Sequence, residues 1–78
     1  MNRLQKFVEK GAFEEGPLRV AYALGADKLP GAQKDARWHP VNDFNAGDEI
    51  LQNASLKDVF KAAITDGCAV LLPLRSMN

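Results

Sequence analysis

The sequence has little of what disulfide-stapled or metal-binding domains require. Its 78 residues include one cysteine, Cys68, and one histidine, His39. A single cysteine cannot form the internal disulfide that a secreted domain of this size usually needs. A multi-histidine metal site is excluded, and no second cysteine completes a zinc-ligand spacing. We therefore expect a cytoplasmic protein that binds no metal.

The chain also lacks an excess of charge and a long apolar run. Ten Lys and Arg side chains balance ten Asp and Glu side chains, which argues against broad, non-specific attraction to nucleic acid. The longest apolar stretch, Cys68 to Leu72, is far too short to span a bilayer. No apolar run of signal-peptide length follows Met1. We expect no membrane partner.

No group of residues predicts catalysis. Cys68 begins the most apolar run, where a cysteine acts as a small buried hydrophobe, so a nucleophile pair with His39 is not favoured. Adjacent acids such as Asp48 and Glu49 have no activated partner nearby and suit a helix start. No glycine-rich loop precedes a helix in the manner of a phosphate site. We expect a non-enzymatic protein without a cofactor.

The composition is that of one small globular domain covering residues 1–78, with 46% hydrophobic and 26% charged residues. Leu4, Phe7 and Val8 are spaced as on one helix face, which predicts a short amphipathic helix over 3–10 that Gly11 ends. Alternating apolar residues over 18–24 predict a strand, although the alanine content keeps a helix open.

Residues 25–47 show no periodicity. A connection of this length without structure of its own is uncommon in a small domain, so it is either functional or contains a short element. Residues 48–52 fit a strand or a helical turn. A loss of phase at 53–55 separates them from the next element.

The clearest helix is predicted over 56–66. Leu56, Val59, Phe60, Ala63 and Ile64 fall on one stripe. Ahead of them, a serine followed three residues later by an acid fits a capping box, and a glycine just after the stripe fits a left-handed end. The run over 69–72 has no alternation, which is typical of a strand covered on both faces, and a proline follows it.

These elements predict a small α+β domain in which two amphipathic helices pack on one face of a sheet of two to three strands. Two strands are marginal alone. A third strand therefore comes either from the region 25–47 or from a second copy of the chain, as a homodimer.

The stretch 28–39 concentrates residue types that bind macromolecules. It holds three basic residues together with Trp38 and His39. Tryptophan and arginine dominate protein–protein contacts, and an aromatic among cations also suits single-stranded nucleic acid. The third interpretation makes Trp38 a core residue. The candidate binding residues are Lys28, Lys34, Arg37, Trp38, His39, Asp43 and Asp48.

We therefore predict a small macromolecule-binding module, namely an adaptor, an inhibitor or an assembly subunit, that acts through protein–protein contacts. The chain is too short to enclose a typical ligand pocket easily. The alternative is binding of single-stranded nucleic acid or RNA through the loop 28–39.

Overall fold

The computed structural model describes residues 3–13 and 15–72, which form a four-stranded antiparallel sheet and two helices. The strands are β1 (Gln5–Gly11), β2 (Pro17–Ala23), β3 (Ala36–Pro40) and β4 (Cys68–Leu71), in the sheet order β3-β1-β2-β4. The helices are α1 (Ala46–Gln52) and α2 (Leu56–Asp66). The α+β class is confirmed, whereas the expected two to three strands are wrong, since the sheet has four.

The helix α2 has the predicted bounds. Leu56, Phe60 and Ala63 are buried, and Gly67 ends the helix with φ +97° while its N–H donates to Ala63 O. The serine at the start does not cap the helix through its side chain, because its hydroxyl donates to Asn53 instead. The strands predicted at 18–24 and 69–72 are confirmed within one residue at each end.

The helix predicted over 3–10 is wrong, because these residues form β1, which pairs with β2 on one side and with β3 on the other. Backbone pairing along both edges outweighs the weak helical periodicity of so short a segment. The side chains alternate instead. Phe7 and Glu9 are buried on one face, whereas Lys6 and Val8 lie on the other.

The region 25–47 contains short elements that its sequence pattern does not reveal. A single 3₁₀ turn covers Ala26–Lys28, and β3 follows at Ala36–Pro40. Residues 48–52 are helical and belong to α1, which begins after Asn45. The Asn45 side chain accepts hydrogen bonds from the backbone N–H groups of Gly47 and Asp48, which satisfies two donors at the helix start. The predicted break before α2 is confirmed.

Each face of the sheet carries its own apolar cluster. On the helix side, the rings of Tyr22, Phe44 and Phe60 meet with centroid separations of 4.7–6.0 Å. On the other side, Phe7 is buried with two alanines of β2, and Leu29 packs over them. Both helices therefore cover one face, and an irregular segment covers the other. The sequence predicts two helices on one face, but the partner of α2 is α1 and not the segment 3–10.

Two further predictions concern the end of the last strand and membrane spanning. The proline expected to end the last strand, Pro73, lies outside the described residues. Within the described part of the chain, neither helix has the length and apolar character needed to cross a membrane.

Candidate functional site

The structure does not gather the predicted binding residues into one patch. Alternation along β3 directs Trp38 to one face of the sheet and its neighbours Arg37 and His39 to the other. Lys34 is exposed in the turn before β3. The stem of Lys28 lies beside Gly67, since a Cβ on that glycine would be 3.4–3.7 Å from Lys28 carbons.

The two predicted acids lie elsewhere, at the start of α1. Asp43 and Asp48 are exposed and line a shallow polar depression of about 300 Å³ with Lys6 and Glu49. The Lys6 ammonium already forms an ion pair with Glu49. This depression is separate from the residues of β3.

Trp38 is half-buried and packs against the apolar cluster on the face opposite the helices. Its Nε1 donates to Pro30 O at 2.9 Å. The guanidinium of Arg19 lies over the indole, 5.2 Å from the ring centroid, in the range of a cation–π contact. The indole is thus engaged within the domain.

Beside Trp38 lies a buried ion pair that the sequence did not point to. Glu9 is fully buried, and its carboxylate accepts two hydrogen bonds from Arg19, at 2.7 and 2.8 Å. The Gln33 backbone N–H donates a third, at 2.7 Å. The Arg19 hydrogen bond lowers the pKa of Glu9 below its ordinary value; burial opposes this, and the Gln33 N–H adds to the lowering.

These three side chains form one row across the sheet, because Glu9 is the register partner of both Arg19 and Trp38. We call Glu9, Arg19 and Trp38 the polar clamp. Each bonds to the backbone of the covering segment, residues 29–33: Trp38 to Pro30, Arg19 to Gly31 and Glu9 to Gln33. The clamp therefore holds that segment over the sheet.

The opposite face of β3 is basic. Lys10 and Arg37 are direct register partners, and His39 pairs with Val8 one step along. We call Lys10, Arg37 and His39 the basic strip. All three are exposed and line a shallow pocket of about 360 Å³ with Asp35.

The outer edge of β4 is a second candidate surface. The Leu24 N–H donates to Gly67 O at 2.9 Å, which fixes the phase of the ladder. Residues 69 and 71 therefore bond to β2, while the backbone groups of Cys68 and Val70 point away from the sheet. No charged residue or proline lies within β4. Leu72, the next residue, is 79% exposed.

The outer edge of β3 differs. The Val41 N–H donates to Lys6 O, so residues 36, 38 and 40 face outward. Pro40 has no N–H, and the Ala36 N–H donates to Gln33 O at 2.9 Å. The Trp38 N–H is thus the only unbonded outward donor of β3 within the described chain. Among residues 3–13 and 15–72, a proline and a turn hydrogen bond protect the outer edge of β3, and no such feature protects that of β4.

In residues 3–13 and 15–72, no three His, Cys, Asp or Glu side chains lie close enough together to bind a metal ion. Comparison with protein-family models, with curated proteins and with solved structures finds no match.

Proposed function

We propose that this chain is a small binding module that acts through protein–protein contacts, and that a strand of the partner protein pairs with the outer edge of β4. The observation that carries this proposal is the unprotected state of that edge. Natural sheets usually blunt their edges with charge, proline or a bulge. In the part of the chain that the structure describes, β3 has such protection and β4 has neither charge nor proline, which favours β4 as the strand that accepts another chain.

The energetics of strand addition fit this surface. A partner strand would satisfy the outward backbone groups of Cys68 and Val70, and main-chain hydrogen bonds supply much of the affinity in this mode of recognition. The exposed side chain of Leu72 extends the contact with apolar area.

Binding of single-stranded nucleic acid through the loop 28–39 finds less support. That mode stacks bases on exposed aromatic rings. The Trp38 ring instead packs on the sheet beneath Arg19 and donates to Pro30. The basic residues of β3 lie on the opposite face.

Amide hydrogen exchange tests the proposal directly. In the free protein, the N–H groups of Cys68 and Val70 should exchange quickly, whereas those of Ala69 and Leu71 should exchange slowly. A partner is then purified by affinity capture after nuclease treatment. On its addition, the amides of Cys68 and Val70 should become protected.

A matched pair of variants controls the test. Leu72→Lys places a charge at the end of β4, whereas Leu51→Lys places one on α1 at a leucine that is 86% exposed. Leu72→Lys should abolish capture, and Leu51→Lys should retain it. Loss of the captured material with nuclease, or a complex without protection at 68 and 70, would contradict the proposal. Protection that rises with protein concentration alone would identify a second copy of the chain as the partner.

A further inference from the structure

The two helices leave part of the sheet face on which they lie uncovered. Tyr22 is packed beneath Phe44 and Phe60, and its register partner Lys6 pairs with Glu49 of α1. The helices cover this row of the sheet. Two residues further along β1 the cover ends, because Val8 belongs to neither apolar cluster.

The uncovered part of this face has one apolar residue and a basic end. Val8 is half-buried there, whereas its register partner Val20 already packs against the helix-side cluster. Beside Val8 lies the basic strip, with His39 in the same row and Lys10 and Arg37 in the next. The uncovered surface therefore offers an apolar contact at Val8 and basic side chains next to it.

The charges of the strip are not compensated within the described residues. Lys10 and Arg37 lie directly opposite each other, and like charges in that position destabilise a strand pair. The two ion pairs found in residues 3–13 and 15–72 are Lys6–Glu49 and Glu9–Arg19, and neither uses a residue of the strip. Among the described residues, Asp35 contributes the one carboxylate that lines the pocket. Bound anionic groups would relieve this repulsion.

We propose that Lys10, Arg37 and His39 bind a carboxylate-rich segment of a partner protein. This inference rests on the proposed function and names the chemistry of the partner at a second surface. Protein rather than nucleic acid is favoured because the uncovered part of the face presents Val8 where base stacking needs aromatic rings. Arginine suits carboxylates well, since its planar fork donates two parallel hydrogen bonds.

The geometry sets the spacing of the acidic groups. Lys10 and Arg37 lie about 5.5 Å apart at their Cα atoms, as a hydrogen-bonded pair on antiparallel strands. Arg37 and His39 are two residues apart, about 6.6 Å along the strand. Acidic side chains two positions apart in an extended segment have the same separation. The segment should therefore carry acids at alternate positions, with an apolar residue against Val8.

A titration followed by amide chemical shifts tests this site without the natural partner. The probes are hexaglutamate and an oligothymidylate of equal charge. With hexaglutamate, shifts should concentrate at the basic strip and at Val8. Replacing Lys10 and Arg37 together by alanine should weaken binding about tenfold, as expected for two solvent-exposed ion pairs. The control replaces Lys57 and Lys61, both exposed on α2, and so removes the same charge; it should bind as the wild type does.

Equal weakening in the control, or tighter binding of the oligothymidylate than of hexaglutamate, would overturn the inference. Arg37→Gln alone, on the outermost strand, serves if the double variant does not fold and should weaken hexaglutamate binding by a factor of about three. The two proposals fail separately. A partner lost with Leu72→Lys but bound normally by the Lys10/Arg37 variant would leave the β4 edge standing and remove the acidic site.

Discussion

Removing Arg19 should strongly destabilise the protein, because it leaves the buried Glu9 carboxylate with a single remaining donor. Glu9 is fully buried and holds two hydrogen bonds from Arg19 against one from Gln33. Breaking a buried ion pair on one side costs about 3–5 kcal/mol. The whole domain has a stability of only ~4–12 kcal/mol at ~0.05–0.15 kcal/mol per residue. Arg19→Ala should therefore lower the melting temperature by roughly 12–40 °C, at about 4–8 °C per kcal/mol.

A second variant separates the charge from the packing. Replacing Glu9 and Arg19 together by leucine removes both charges and keeps apolar volume on the strands. Buried pairs replaced in this way often leave stability unchanged or raise it. The polar groups of Gly31 and Gln33 that the clamp binds lie in exposed residues, where water can replace the lost bonds. The double variant should be more stable than Arg19→Ala by about 2 kcal/mol or more.

Urea unfolding followed by circular dichroism gives the free energy of each variant. The coupling between the two sites is obtained from the single and double changes. A cost below about 1 kcal/mol for Arg19→Ala would place the pair among ordinary surface salt bridges and refute the clamp. A Leu/Leu variant no more stable than Arg19→Ala would show that shape, rather than an uncompensated charge, dominates.

Three further outcomes are expected from the same contacts. Phe60→Ala should cost about 3–5 kcal/mol in thermal unfolding, because the ring is buried against Tyr22 and Phe44; a near-normal melting temperature would contradict this core. The pKa of Glu9 is lowered, so its carboxylate stabilises the fold above the unfolded value of 4.5. This contribution should be lost as the pH falls below 4.5 and through the folded pKa. The free energy of unfolding measured against pH should not show this loss in Glu9→Gln. Burial, with the Glu49 charge, raises the pKa of Tyr22 to about 12, so the contribution of the neutral phenol to stability is present below pH 10 and should be lost as the pH rises through 12; phenolate absorbance appearing near pH 10 in the folded protein would contradict this.

The elements that the sequence predicted correctly carry their own local signals. The helix α2 combines an apolar stripe with a glycine at φ +97°, and neither feature depends on the rest of the fold. The strand β4 is an unbroken apolar run, covered by α2 on one side and by the cluster around Phe7 on the other. Patterns of this kind are sufficient because burial and backbone geometry both act within a few residues.

The misread strand β1 depends on partners far along the chain. Its Leu4, Phe7 and Val8 fit a helix stripe, and Glu9 then falls on the solvent side. In the fold Glu9 is buried, and that burial is tolerable because the Arg19 guanidinium, ten residues on, and the Gln33 N–H donate to its carboxylate. A glutamate at an inward position has no apolar signature. The alternating pattern of β1 therefore becomes visible only once its ion pair on β2 is known.

The candidate surfaces depend on strand order in the same way. The loop 28–39 has the composition of a binding site, yet Trp38 donates to the covering segment at Pro30. Arg37 instead belongs to the basic strip, which includes Lys10 of another strand. The apolar run of β4 has the composition of a central strand. Only the order β3-β1-β2-β4 places it at an edge. At an edge, a strand without charged residues does not shield its outward backbone groups, such as those of Val70, from pairing with another chain. The uncharged apolar run that made β4 easy to predict is therefore also the reason to expect a partner strand there.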